Sequence, residues 1–245
     1  MAKVAVILPA AGGSTRFAGP QKKPFVTLAG RPVWQRAAEL FWHRPDVAAV
    51  LIVVAPADRD EFAGRFGHLL AFTTGRLVTG GAERFESVAN ALAEIPPDID
   101  LVAVHDAVRP LTPPGLIDAV FVAAAEHGAA VPAVAVADTL KRVANDFVTE
   151  TVPRAGLWQA QTPQVFRRDW LLDAYARRTS LPGPITDDAQ LVEACGRPVR
   201  VVPGSPLNFK ITTPDDLKLA EAILGAKAVP VEEAKPRRPF DDEGW

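Results

Sequence analysis

Apolar and polar positions alternate along the chain in two rhythms. Short, almost continuous apolar runs occur at Lys3–Leu8, Val50–Ala55, Leu101–Val104, Ala130–Val136 and Val199–Val202. Runs of this length, rich in Val, Ile and Ala, predict strands buried on both faces. Between them lie longer stretches with apolar residues every three or four positions, near Val33–Trp42, Asp58–Phe66, Arg84–Ala93, Pro114–Glu126, Asp169–Arg178, Thr186–Ala194 and Asp215–Leu224. These predict amphipathic helices. Strands alternating with helices predict an α/β fold, a mainly parallel sheet flanked by helices. In such sheets ligands bind beyond the carboxyl ends of the strands.

The alternation breaks between Asp138 and Trp158. Asp138–Val143 and Phe147–Val152 read as two short strands around the turn Ala144-Asn145-Asp146. A lone hairpin is marginal in water, so this arm, residues 138–158, predicts a second subunit to dock on, and hence a homodimer. Residues 1–225 read as one nucleotide-binding-type domain. Residues 226–245, with proline, mixed charges and no apolar periodicity, read as a disordered tail.

Composition narrows the function classes. At 245 residues, 48% hydrophobic and a formal net charge of −2, the chain can bury a sizeable core and carries no nucleic-acid footprint. Cys195 is the only cysteine, which excludes an intrachain disulfide and fits a reducing cytoplasm. The first residues do not read as a signal peptide, and no apolar run reaches the ~18 residues of a membrane span. A cytoplasmic protein is the expectation.

The chemistry sits at strand ends. After the first strand comes Pro9-Ala10-Ala11-Gly12-Gly13-Ser14-Thr15-Arg16, then Gln21-Lys22-Lys23-Pro24. Small residues admit a ligand close to the backbone, and Arg16 and Lys22 add two cations. This suits a polyphosphate, although the spacing is neither a Walker loop nor a dinucleotide fingerprint. An ordinary Gly-rich turn with surface cations fits the composition equally well. Gly80-Gly81-Ala82-Glu83-Arg84-Phe85-Glu86-Ser87 opens a helix whose first turn, with exposed backbone amides and carbonyls and the Ser87 hydroxyl, could read a base edge. Val104-His105-Asp106-Ala107-Val108-Arg109-Pro110 follows a central strand. Asp106 there suits a divalent metal or a ribose hydroxyl, and Arg109 a phosphate. An Asp106–Arg109 ion pair fixing a turn is the alternative, and His105 reads as structural. Thr186 is a helix-cap candidate, with Asp187 and Asp188 behind it. Lys210, in the strand-like run Pro206–Thr212, either reaches solvent or faces an anionic ligand.

Taken together, Pro9-Ala10-Ala11-Gly12 with Arg16 and Lys22, Gly80-Gly81 with Arg84 and Ser87, His105–Pro110, Asp138-Thr139-Leu140-Lys141-Arg142, Arg154–Trp158, Thr162-Pro163-Gln164, Thr186-Asp187-Asp188 and Asn208–Thr212 resemble the 2-C-methyl-D-erythritol 4-phosphate cytidylyltransferase family. The likeness runs from about Val4 to Leu224. It implies a Rossmann-like nucleotidyltransferase fold, usually a homodimer joined through the arm. The implied reaction moves CMP from CTP to 2-C-methyl-D-erythritol 4-phosphate with Mg²⁺ as cofactor. By this resemblance Arg16, Lys22 and Lys210 neutralise the reacting phosphates, and Asp106 lies at ribose and metal. Backbone at Ala10, Ala11, Gly12 and Gly81, with Ser87, holds the nucleotide. Arg109, Thr162 and Thr186, with Thr139 and Arg154 from a partner's arm, hold the polyol phosphate. The chain departs from the family pattern at Ala82, where an acid is frequent, and at Gln21 and Lys23-Pro24. A related transfer to ribitol 5-phosphate and a non-catalytic sugar-nucleotide binder are the alternative readings.

Overall fold

A computed structural model of the chain describes residues 2–11, 25–178 and 185–228. Strand β1 (Val4–Pro9) is followed by the short strands β2 (Thr27–Leu28) and β3 (Arg31–Pro32), then α1 (Val33–Trp42), β4 (Val47–Val54), α2 (Arg59–Leu70), β5 (Gly75–Thr79), α3 (Arg84–Ala93), β6 (Leu101–Val104), α4 (Pro114–His127) and β7 (Ala129–Ala135). Next come β8 (Leu140–Ala144), β9 (Phe147–Val152), β10 (Trp158–Ala160), β11 (Gln164–Arg167), α5 (Arg168–Ala176), α6 (Asp188–Ala194), β12 (Arg200–Pro203) and α7 (Pro214–Ala228).

Among the described residues the main sheet has 8 strands, with β5, β4, β1 and β6 side by side and parallel. Strand β11 runs antiparallel between β6 and β7. Ala130 pairs with Val165 on one side and Arg200 on the other, and Ala133 with Ala160 and Pro203. Strands β10 and β11 therefore share one edge of β7, and β12 forms the other.

Period-2 side-chain alternation divides the core. Val4, Val6 and Leu8 of β1, with Val50, Ile52 and Val54 of β4, pack against α1, α2 and α4. Ala5, Ile7, Leu51, Val53, Val102 and Val104 face α3, α5 and α6 instead. The helices start and stop on local signals. A capping box between Glu83 and Glu86 opens α3, and Gly128, at φ 89°, closes α4 with a left-handed turn. A smaller cluster, Leu28, Val33, Val108, Leu111, Ile211 and Ala220, sits under α7.

Several expectations are corrected. The strands β5, β10 and β11 were absent from the sequence reading. The run Pro206–Thr212 is not a strand. Its backbone is irregular, and Ile211 at 1% exposure anchors it to the cluster under α7. Helix α7 runs to Ala228, past the boundary expected at 225, and the tail from 229 lies outside the described residues. The cap of α6 is Asp187, not Thr186: its Oδ1 accepts from the Gln190 amide at 3.0 Å. The hairpin is where it was expected. Among the described residues, strands β8 and β9 pair only with each other, across a turn with Asn145 and Asp146 at φ 49° and 64°.

Candidate active site

Strand order places the site. From β1 the chain moves to β4 and β5 on one side, then returns to β6 on the other. The crevice at such a switch point opens at the carboxyl ends of β1 and β6. Ile7 pairs with Val104, so Ala10–Ala11 and His105–Asp106 leave the sheet side by side. On the far side of β1, Gly80 follows β5. A Cβ at Gly80 would lie 2.7 Å from Ser87 Oγ and 3.1 Å from the Ala11 Cβ. Only glycine lets the turn after β5 approach the β1 loop this closely.

Asp106 is the electrostatic centre. It is 9% exposed, and its Oδ2 accepts from Arg109 Nε at 3.1 Å and lies 3.2 Å from Lys210 Nζ. Burial alone pushes the carboxyl up, but Lys210, Arg109 and Arg84 outweigh it and hold it down at about 2. Asp106 is thus ionised at every working pH. Both direct cation partners use Oδ2, leaving Oδ1 facing neither.

A chain of hydrogen bonds fixes this arrangement. The Asp106 amide donates to Thr162 Oγ1 at 3.0 Å, so the Thr162 hydroxyl is free to donate to His105 Nδ1 at 3.1 Å. His105 Nε2–H then donates to the Arg109 carbonyl at 3.1 Å. Acceptance at Nδ1 requires a neutral imidazole, and burial lowers the His105 pKa to about 4. His105 is therefore the structural residue it was expected to be. Asn208, fully buried, donates through Nδ2 to the Thr162 carbonyl at 2.8 Å, while its Oδ1 accepts from Thr112 Oγ1 at 2.7 Å. Its own carbonyl accepts from Arg109 Nη1 at 2.6 Å. Asn208 thereby delivers Lys210, two residues on, to Asp106. The sequence reading gave Asn208 no role. Its signal was an amide between the apolar Leu207 and Phe209.

The turn Gly80–Glu83 differs from expectation in what it offers. All four amides are engaged within the protein: Gly80 with the Val54 carbonyl at 2.8 Å, Gly81 with Ser87 Oγ at 3.1 Å, and Ala82 and Glu83 with Glu86 Oε2 at 2.7 and 3.2 Å. The Glu83 carbonyl accepts from the Ser87 amide at 3.1 Å, which leaves the carbonyls of Gly80, Gly81 and Ala82 and the Ser87 hydroxyl hydrogen without a described partner. The capping box is the cause, since Glu86 turns back over the amides that precede the helix.

The other expected residues fall in three groups. Gly12, Arg16 and Lys22 lie outside the described residues. Thr162 and Arg109 stand beside Asp106. Thr186 hydrogen-bonds Gln190 Oε1 at 3.1 Å at the start of α6, which Gln164 ties to β11. Thr139 and Arg154 are exposed at the ends of the arm, so the chain's own fold does not bring them to Asp106 through any described contact.

Residues 4–226 match the family model described as IspD, 2-C-methyl-D-erythritol 4-phosphate cytidylyltransferase. The chain belongs to this family. It is 43% identical over 229 residues to 2-C-methyl-D-erythritol 4-phosphate cytidylyltransferase of Pelotomaculum thermopropionicum, covering 93% of this chain and 96% of that one. It is 46% identical over 227 residues to the bifunctional enzyme IspD/IspF of Rhodospirillum rubrum, where it spans 91% of its own length but only 58% of that protein. The crystal structure of 2-C-methyl-D-erythritol 4-phosphate cytidylyltransferase from Thermus thermophilus superposes with a TM-score of 0.73 at 38% identity, over 90% of this chain and 98% of that one. The central sheet and its flanking helices are accordingly the Rossmann-like nucleotidyltransferase fold. Among the described residues no helix is long and apolar enough to cross a membrane.

Proposed function

We propose that the protein transfers CMP from CTP to 2-C-methyl-D-erythritol 4-phosphate, releasing pyrophosphate. One observation carries this reading beyond family membership: an ionised Asp106 bridged to Lys210 and Arg109 in the switch-point crevice. An oxygen of the polyol phosphate attacks the α-phosphorus of CTP. The new P–O bond forms as the bond to the β-phosphate bridging oxygen breaks, and pyrophosphate carries away that electron pair. The nucleophile is already ionised at neutral pH, so no general base is needed. Catalysis reduces to positioning and charge neutralisation.

Lys210 supplies one cation next to Asp106, and Arg16 and Lys22 of the β1 loop supply two more. Carbonyls of Gly80, Gly81 and Ala82 accept from the cytosine amino group, and the Ser87 hydroxyl donates to its carbonyl. Ala10, Ala11, Gly12 and Gly81 bring backbone against the nucleotide. Arg109, Thr186 and the loop around Thr162 form the acceptor side, completed by Thr139 and Arg154 from a partner's arm in a homodimer. The exposed Val143, Phe147 and Val148 on this arm support such docking. The absence of any possible intrachain disulfide supports a cytoplasmic setting.

A divalent metal fits this donor set. No three His, Cys, Asp or Glu side chains cluster among the described residues, but Mg²⁺ in phosphoryl-transfer sites takes one or two carboxylates, with substrate phosphates and water completing its shell. Asp106 is the carboxylate that would hold it. Bound there, Mg²⁺ would neutralise charge on the triphosphate. Pyrophosphate release with CTP and a panel of polyol phosphates tests the whole reading. Release only with 2-C-methyl-D-erythritol 4-phosphate is expected. Preference for ribitol 5-phosphate, or no release with any acceptor, would overturn it.

A further inference from the structure

Arg84 is the first residue of α3, where the helix dipole disfavours a cation. Its partner explains it. Asp188, the first residue of α6, is fully buried, and its Oδ2 accepts from Arg84 Nη2 at 2.7 Å. Oδ1 accepts from the Tyr175 hydroxyl at 2.5 Å. Burial would lower the Arg84 pKa, but the Asp188 charge more than offsets it, whereas burial and Asp188 together push Tyr175 up. The backbone of α6 is held as well. The amides of Asp188 and Ala189 both donate to Gln164 Oε1 at 3.1 Å, and Gln164 Nε2 donates to Asp187 Oδ2 at 2.8 Å. Gln164 lies two residues after Thr162, which holds the Asp106 amide.

Asp188 is buried and Arg84 about one-third exposed; an ion pair with such a desolvated member contributes little stability against an apolar pair of the same shape. What it does fix is geometry, through a short directional contact between two helix starts. One of these starts carries Ser87 and the turn after β5. The other carries Thr186. Resting on the reading above, we infer that Arg84 and Asp188 form a positioning bridge that keeps the acceptor side of the site in register with its nucleotide side. The α3 capping box, made by Glu83 and Glu86 alone, keeps the nucleotide side formed when the bridge is cut.

The test compares the parent with Asp188→Asn, Arg84→Lys and the double variant Arg84→Met/Asp188→Asn. The double variant leaves no unpaired buried charge, so it should fold; circular dichroism checks this. CTP Kd is measured by titration, and KM and kcat with 2-C-methyl-D-erythritol 4-phosphate as acceptor. Asp188→Asn and the double variant should raise the acceptor KM about tenfold and leave CTP Kd within about twofold. Arg84→Lys, which keeps the charge, should recover part of the loss. An unchanged acceptor KM in the folded variants would overturn the bridge, as would equal losses for both substrates. A parent that binds CTP but transfers nothing to the polyol phosphate would overturn the functional reading, and the bridge with it.

Discussion

Lys210 and Asn208 divide one task at the scale of single residues. Lys210, with its side chain 45% exposed, points its charge at Asp106. Asn208, with no exposure, sets where that charge can be. Lys210→Ala should therefore lower kcat about 30- to 1000-fold, as for loss of one stabilising group of about 2–4 kcal/mol, with a smaller change in the KM for CTP. A rise in KM at constant kcat would show that Lys210 serves ground-state binding instead. Asn208→Ala strips the side-chain partner from the buried Thr162 carbonyl, while the Thr112 hydroxyl keeps the Arg109 carbonyl at 3.2 Å. An orphaned group of this kind costs about 1–3 kcal/mol. The variant should show a lowered midpoint in urea together with a kcat loss in the same direction as Lys210→Ala. Stability loss with full kcat would separate Asn208 from the site. Asp106, Arg109 and Lys210 were legible in the sequence because charges at the end of a buried strand, or inside an apolar run, need a partner. Asn208 and Asp188 were not. A neutral amide or a helix-first acid has an ordinary local use, and only the fold shows what else it touches.

Among the elements, the turn into α3 and the arm carry the most consequence. The turn has spent its amides internally and keeps acceptors, with one hydroxyl donor. Cytosine offers an amino donor and a carbonyl acceptor, and uracil reverses the first. CTP should accordingly exceed UTP in kcat/KM by at least about 100-fold, since mispaired buried groups are heavily penalised. Comparable values would remove the turn from base recognition. Gly80→Ala tests the close approach independently. The added Cβ would meet Ser87 Oγ at 2.7 Å and the Ala11 Cβ at 3.1 Å. Overpacking of this kind costs about 1–3 kcal/mol, so the KM for CTP should rise about 5- to 150-fold. Sequence reading found the turn from its paired glycines but took its amides as exposed. The reciprocal role of Glu86 was visible as a capping-box spacing and went unused. Strands β10 and β11 escaped notice because they are short and separated by Pro163, and β5 because Arg76 and Thr79 dilute its apolar run. Pro206–Thr212 mimicked a strand through the alternation Leu207, Phe209, Ile211, yet Phe209 and Ile211 serve the cluster under α7 and the run finds no sheet edge.

For the molecule as a whole, the alternation of strands and helices was enough to read a parallel sheet, and the strand-end rule was enough to locate the crevice. The order of strands was not readable, because pairing is settled between residues far apart in the chain. The arm makes the next claim testable. Val143, Phe147 and Val148 are 55%, 76% and 60% exposed, more apolar surface than a free hairpin keeps. If the partner's arm completes each site, an inactive Arg154→Ala subunit co-expressed with an inactive Lys210→Ala subunit should regain part of the activity, one site in the mixed dimer being free of both lesions. No recovery in verified mixed dimers would place each site within one chain. The most direct measurement follows the oxygens. With ¹⁸O in the phosphate of 2-C-methyl-D-erythritol 4-phosphate, attack on the α-phosphorus of CTP keeps all of the label in the cytidylylated product and none in pyrophosphate, read by mass spectrometry after one turnover. Label in the pyrophosphate, or no cytidylylated product at all, would contradict transfer of CMP to this acceptor.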